Sequence, residues 1–297
     1  MAPLHLGLIL PNYGEALDAE RLARVAIAAE AAGFDSGWVT DHVVVPPEHA
    51  PIYGTIAEAL VSLGFLAGRT DRLQLGVSAL VVPQRNPLIA LKQLTTLDFL
   101  SGGRIVTAVA AGWMEGEFAI LDADFDGRGR VLNDWLKLAT SAFEQMPGRI
   151  EELDGWLAPA IVRQGSPELW VAGVSRATLR RAALTGVWHP VALAPDQLRT
   201  MSAELRERRA DSRVILRIGV YLQDEAEQGA DERGRHAIAG PAVWVAERLA
   251  EYVDTGCEGF VVNLDYGSPG LEERVQQFAE EVVPLLPATP GSTSPRG

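Results

Sequence analysis

Residues 73–112 read LQLGVSALVVPQRNPLIALKQLTTLDFLSGGRIVTAVAAG. Two runs, LQLGVSALV and RIVTAVAAG, are apolar on both faces, as strands buried from both sides are. Between them Asn86 stands where a helix cap stands and Pro87 in the first turn. Leu91, Leu94 and Leu97 then mark one helical face, and SGG supplies the stop. The unit is strand, helix, strand, which implies parallel pairing, because parallel neighbours need a crossover of this length.

The same alternation runs through the rest of the chain. LHLGLIL, SGWVT, LQLGVSALV, RIVTAVAAG, ELWVAG, VWHPVAL, VILRIGVYL and GFVVNLD make eight strands. Helical patterns follow each of them, including Leu22, Val25, Ala26 and Ala29 with Gly33 at the stop, and segments near 54–68, 113–146, 175–185, 195–210, 241–255 and 270–285. Eight such units predict a closed (β/α)₈ (TIM) barrel over residues 1–288, followed by a small, polar, disordered tail over 289–297. An open dinucleotide-binding sheet is the alternative, but the first strand runs into PNYGEALD instead of G-x-G-x-x-G. The connection from Trp113 to Pro167 is oversized. It predicts an insertion between strands four and five, read as a helix plus a lid segment over the barrel mouth.

The chain has 297 residues and a net charge of −13, which argues against nucleic acid as a partner. No apolar run is long enough for a membrane span and no secretory leader is visible at the start, so a cytoplasmic protein away from membranes is expected. Cys257 is the single cysteine and reads as a small buried apolar residue; it excludes a disulfide framework and any cysteine metal cluster. Lys92 and Lys137 are the only lysines among 26 basic residues.

In a barrel the active site lies where strands end and the following loops begin. Those ends are Pro11-Asn12-Tyr13-Gly14, Asp41-His42, the region of Ser78, Ala111-Gly112-Trp113, Gly173-Val174-Ser175-Arg176 and Trp188-His189. Asp41 and His42 interrupt the apolar run GWVTDHVVVP, and His42 is either a proton carrier at a reacting centre or a partner for loop backbone. His5 falls at the opposite end of the first strand, His49 and His236 in loops, and His189 inside a strand. The turn before helix 175–185 offers free N–H groups, the Ser175 hydroxyl and Arg176 to a phosphate, although the same residues serve as an ordinary cap. G-x-S-x-G is absent, which disfavours a serine hydrolase. Rim carboxylates Asp41, Glu115 and Glu117 leave a carboxylate hydrolase as an outside reading.

The segments LGLILPNYG, AEAAGFDSGWVTDHVVVP, LGVSALVVPQRNPLIALKQLTTLDFLSGGRIVTAVAAGWMEGEF and ELWVAGVS together resemble the bacterial-luciferase-like oxidoreductases, and within them the branch using the deazaflavin coenzyme F420. The resemblance runs from residue 4 to residue 285. It implies hydride transfer between F420 and a small organic substrate, with Asp41 and His42 beside the reacting face. It further implies a non-prolyl cis peptide at Ser78-Ala79 behind the ring. Ser78 and Ala79 would back the ring, Ala111 and Gly112 with Ala172, Gly173, Val174, Ser175 and Arg176 would hold its edge and phosphate, and Asn12 would belong to the same coenzyme site. FMN in a luciferase-like monooxygenase is the alternative, and a cofactor-binding protein without catalysis a third reading. No metal is expected, and the expected assembly is a homodimer. Two departures stand out: TGVWHP replaces an Asp-Gly-Trp-like turn after strand six, and Trp113 stands where some deazaflavin dehydrogenases carry a carboxylate.

Overall fold

Eight strands form the frame of the computed structural model, which describes residues 4–15, 17–230, 235–265, 267 and 269–287. They are β1 (His5–Ile9), β2 (Ser36–Val39), β3 (Gln74–Val81), β4 (Ile105–Ala110), β5 (Glu168–Ala172), β6 (Val187–His189), β7 (Arg213–Leu222) and β8 (Gly259–Asn263). Their order in the sheet is β7-β8-β1-β2-β3-β4-β5-β6, and pairing of β6 with β7 closes the ring. The fold is a parallel (β/α)₈ barrel, as the alternation of strands and helices predicts. Helices Ala19–Ala31, Ala59–Ala67, Pro87–Ser101, Arg128–Gln145, Arg176–Thr185, Pro195–Arg208, Ala242–Val253 and Leu271–Gln277 follow the strands in turn. Asn86 caps its helix by accepting from the N–H groups of Leu88 and Ile89. That helix buries Leu91, Leu94 and Leu97, each contributing roughly 1.5–3 kcal/mol by leaving water.

The residues group into two compact units, described in turn. The tail expected over 289–297 lies outside the described residues. One unit comprises Pro11–Ala23 and Val39–Leu169. Here the lid expectation fails. After helix Arg128–Gln145 the chain forms a short hairpin, Gly148–Ile150 with Gly155–Leu157. Glu152 of that hairpin accepts from Ser141 and Gln145 at the end of the helix. The segment beyond is tied to the C-terminal end of helix Pro87–Ser101, where Asp98 accepts from Val162 N–H and the Ser166 hydroxyl and Arg163 donates to Gly103 O. Gly103 precedes β4, so residues 162–166 of the insertion lie toward the end where strands begin, away from the mouth. Its polar groups find partners there.

The other unit comprises Met1–Leu10, Arg24–Trp38 and Trp170–Gly297. It adds an unexpected hairpin, Glu227–Ala230 with His236–Gly240, so His236 begins a strand and not a loop. The reason is the shortness of β6. Pro190 follows its third residue, and a proline cannot extend a ladder as donor. Arg213 and Arg217 N–H donate to Gly186 and Pro190 O, and beyond them the same edge of β7 is taken over by Ala237–Gly240, with Gln223 N–H on Gly240 O.

Inside this unit Trp38, Trp170 and His189 pack ring against ring at 4.6 to 5.5 Å. His189 is fully buried and donates from Nδ1 to Ile215 O at 2.7 Å. Burial pushes its imidazole down to about 3, well below the ordinary 6.5, and the nearby Arg217 and His5 act in the same direction. It is therefore a neutral packing group. The unfolded chain binds a proton that the folded chain refuses. Stability is then complete above pH 6.5 and falls as pH drops from 6.5 toward 3, by on the order of 1 kcal/mol per pH unit. Urea unfolding of the wild type at pH 7.5 and 5.0 should show this loss, and His189→Gln should show a smaller one. Equal losses in the two proteins would mean that His189 accepts its proton inside the fold.

Candidate active site

Two buried side chains at the ends of β1 and β2, Asn12 and Asp41, are held by hydrogen bonds from neighbouring segments. Asn12, fully buried after β1, accepts from Thr40 N–H at 2.8 Å and donates to Thr40 O at 2.8 Å and Ala57 O at 3.2 Å. That clasp holds the two strand continuations together and uses the whole amide. Asp41 is buried and accepts from Arg85 at 2.5 and 2.8 Å and from Val81 N–H at 2.9 Å. Arg85 also reaches Glu58 at 3.2 Å, and Glu58 caps helix Ala59–Ala67 through Val61 N–H. Asp41 thus pins the end of β3 and the following segment through a bidentate pair with Arg85 and a third bond from Val81 N–H.

His42 is different. Its Nδ1 lies 2.8 Å from Oε2 of Glu117, and Oε1 of the same carboxylate accepts from Val43 N–H at 2.7 Å and Val44 N–H at 3.3 Å. Both side chains are buried, at 5% and 1% exposure. Burial alone would raise the Glu117 carboxyl, but hydrogen bonds from His42, Val43 and Gln84, and the His42 charge, outweigh it and hold it below the ordinary value. An ionised Glu117 requires Nδ1 to carry a hydrogen. Nε2 has no hydrogen-bond partner among the described residues. The ring is held by Tyr53 at 4.3 Å and by the edge-on ring of Trp113 at 6.1 Å.

Glu117 sits on the short helix Glu115–Ile120, which directly follows the end of β4. Two glycines bring it close. Gly112 has φ +88°, and a Cβ there would meet Phe118 and Val81 at 2.7 Å; Gly116 leaves room for Pro46, whose Cγ would lie 2.6 Å from a Cβ. Sequence reasoning named Glu117 only as one of several rim carboxylates and did not pair it with His42. The available signal was its setting in GEF, an acid between a small residue and a core phenylalanine.

At the end of β3 the Ser78–Ala79 peptide is cis, as the family resemblance implies, and the pairing with β4 shifts there, Ser78 opposite Ala108 and Leu80 opposite Val109. Ser78 is buried. Ala79, Ala110 and Ala111 are half-buried in strands whose central residues are buried, so this patch of backbone and methyl groups carries no large side chain. Of the residues expected from sequence, Asn12, Asp41, His42, Ser78, Ala79, Ala111 and Gly112 all belong to this one unit.

Ala172, Gly173, Val174, Ser175 and Arg176 belong to the other unit. Ser175 caps helix Arg176–Thr185 through Thr178 N–H, Gly173 O accepts from Trp188 Nε1 at 2.8 Å, and Val174 is exposed. Arg176 is 85% exposed and 3.7 Å from Glu204, which leaves most of its guanidinium in water. Among the described residues there is no cluster of three potential metal ligands and no helix long and apolar enough to cross a membrane.

The model of the family described as luciferase-like monooxygenase matches residues 8–256. An F420-dependent glucose-6-phosphate dehydrogenase of Kineococcus radiotolerans is 37% identical over 101 residues, 34% of this chain and 29% of that one. An FMNH(2)-dependent dimethylsulfone monooxygenase of Pseudomonas fluorescens is 24% identical over 299 residues, 88% of this chain and 78% of that one. The solved structure of an F420-dependent secondary alcohol dehydrogenase with an F420-acetone adduct superposes with a TM-score of 0.74 at 19% identity, over 97% of this chain and 100% of that one, a likeness of fold. The matches to alkanal monooxygenase alpha chains cover 32% to 49% of those chains' own length.

Gly116 is the tightest point of the His42 support. Gly116→Val should force Pro46 away from the helix, cost roughly 1–3 kcal/mol in urea unfolding and loosen Val43 and Val44 from Glu117. Unchanged stability would mean that the 43–46 segment shifts freely.

Proposed function

The chain belongs to the luciferase-like monooxygenase family, and from that membership we propose that it is an F420-dependent oxidoreductase passing a hydride between the deazaflavin and a small organic substrate. The observation that carries this reading is the His42–Glu117 pair, with Nδ1 fixed and Nε2 open. When bound, the deazaflavin supplies a two-electron hydride acceptor or donor. His42 Nε2 takes the proton from a substrate hydroxyl, or returns it to a carbonyl oxygen in the reverse direction. Glu117 keeps the imidazole in the required tautomer and stabilises the positive charge that appears when Nε2 is protonated. Asp41, expected at the reacting face, has the positioning role instead, because its oxygens are taken by Arg85 and Val81 N–H.

The residues present suit a planar ring. The half-buried methyl groups of Ala79, Ala110 and Ala111 beside the cis peptide leave a flat, side-chain-poor surface, with Ser78 and Gly112 adjoining it and Asn12 clasping the nearby strand ends. In the other unit, taken by itself, the turn from Ala172 through Gly173, Val174 and Ser175 to Arg176 presents a helix start and a largely unspent cation, a setting that suits a phosphate. FMN monooxygenase chemistry is the second reading, supported by the relative that matches most of the chain. The higher local identity to an F420-dependent enzyme favours the deazaflavin.

Titration of the purified protein should give at least roughly tenfold tighter binding of F420 than of FMN, a difference of about 1.4 kcal/mol; equal or reversed affinities overturn the assignment. Arg176→Ala should weaken F420 binding by about 1–3 kcal/mol, the scale of one lost charge-assisted hydrogen bond. His42→Ala should retain fold and coenzyme affinity while turnover falls roughly 10² to 10⁴-fold. A lowered melting temperature with unchanged turnover per folded molecule would make His42 a purely architectural residue.

A further inference from the structure

The surface adjoining His42 is apolar, and the charge around it is one-sided. Trp113, Val43 and Val44 are 58%, 44% and 37% exposed. Trp113 is no floppy surface ring, because it stands edge-on to His42 at 6.1 Å and to His49 at 5.2 Å. Three large apolar side chains left open beside a proton carrier are unfavourable in water unless something apolar covers them. The segments that build this wall, residues 41–58 and 112–128, contain three and five carboxylates respectively against one arginine. That arginine, Arg128, donates to Gly112 O and Phe125 O and lies over the Phe125 ring at 3.6 Å. Arg85 reaches these segments from outside and is spent on Asp41 and Glu58, and Arg130 pairs with Asp124 at 3.8 Å.

We infer that the substrate is an uncharged, apolar alcohol or carbonyl compound whose carbon chain packs on Trp113, Val43 and Val44, with Trp113 as the specificity-determining residue. A phosphorylated substrate would meet carboxylates and greasy surface where it needs guanidinium donors. The inference rests on the hydride-transfer reading above. In the oxidative direction the carbinol C–H bond breaks with its hydride going to the deazaflavin, the O–H proton goes to His42 Nε2, and the C–O bond becomes C=O; reduction is the reverse.

The test uses the full-length protein, with and without saturating F420, titrated with 2-butanone, 2-hexanone and 2-octanone and separately with glucose 6-phosphate, binding being followed by calorimetry. Affinity should rise roughly three- to fourfold per added methylene, and glucose 6-phosphate should give no saturable heat. Trp113→Ala should remove at least half of that chain-length dependence without lowering the melting temperature. Val44→Asp, on the exposed loop, is the second variant and should weaken 2-octanone far more than 2-butanone. A flat series, saturable binding of glucose 6-phosphate tighter than that of 2-hexanone, or unchanged length dependence in both variants overturns the inference. F420 binding, read separately by quenching of its own fluorescence, keeps the two readings apart. Failure there with a steep alkanone series removes the deazaflavin and leaves the apolar wall, whereas F420 binding with a flat series removes the wall alone.

Discussion

A carboxylate buried at the end of a strand needs donors at both of its oxygens, and Asp41 finds them in Arg85 and the Val81 N–H. Leaving such a group without its partner costs about 3–5 kcal/mol, so the segment after β2 and the end of β3 are held in one arrangement. Because Arg85 also engages Glu58, the cap of the next helix joins the same network. His42, one residue on, inherits its position from this clamp. Only with the backbone fixed there can Val43 and Val44 N–H reach Glu117 while the imidazole reaches its other oxygen.

Two buried histidines show how environment assigns opposite roles to one residue type. His189 is surrounded by tryptophan rings and offered a carbonyl, a setting that penalises its charged form and leaves it a neutral plug. His42 faces a carboxylate at one nitrogen and no described partner at the other. Tyr53 and Trp113 limit how far the ring can turn, so the open nitrogen keeps a defined direction.

Much of this frame is legible in local pattern. The 73–112 unit announces strand, capped helix and strand, and its periodicity recurs until eight units are counted. The hairpin at 227–240 escapes that reading, because it arises from an edge of β7 that the short β6 leaves uncovered. The 113–167 insertion was visible as excess length but not in its direction, since its anchors Asp98 and Gly103 lie some 60 residues upstream of the groups they hold.

The site divides along the same line. Alternation of apolar runs and amphipathic helices is a short-range property of neighbouring residues, so the barrel, and the presence of Asp41 and His42 at a strand end, could be read from order alone. Which carboxylate turns toward His42 could not. Glu117 is 75 residues away along the chain, one acid among several on the same rim, and its role depends on two glycines letting a helix and a loop approach within contact distance. Adjacent residues share a backbone but diverge in direction, and so Asp41 became a clamp for β3 while His42 kept a free nitrogen. That separation is made by packing in three dimensions, where a buried charge accepts whichever donor geometry brings to it.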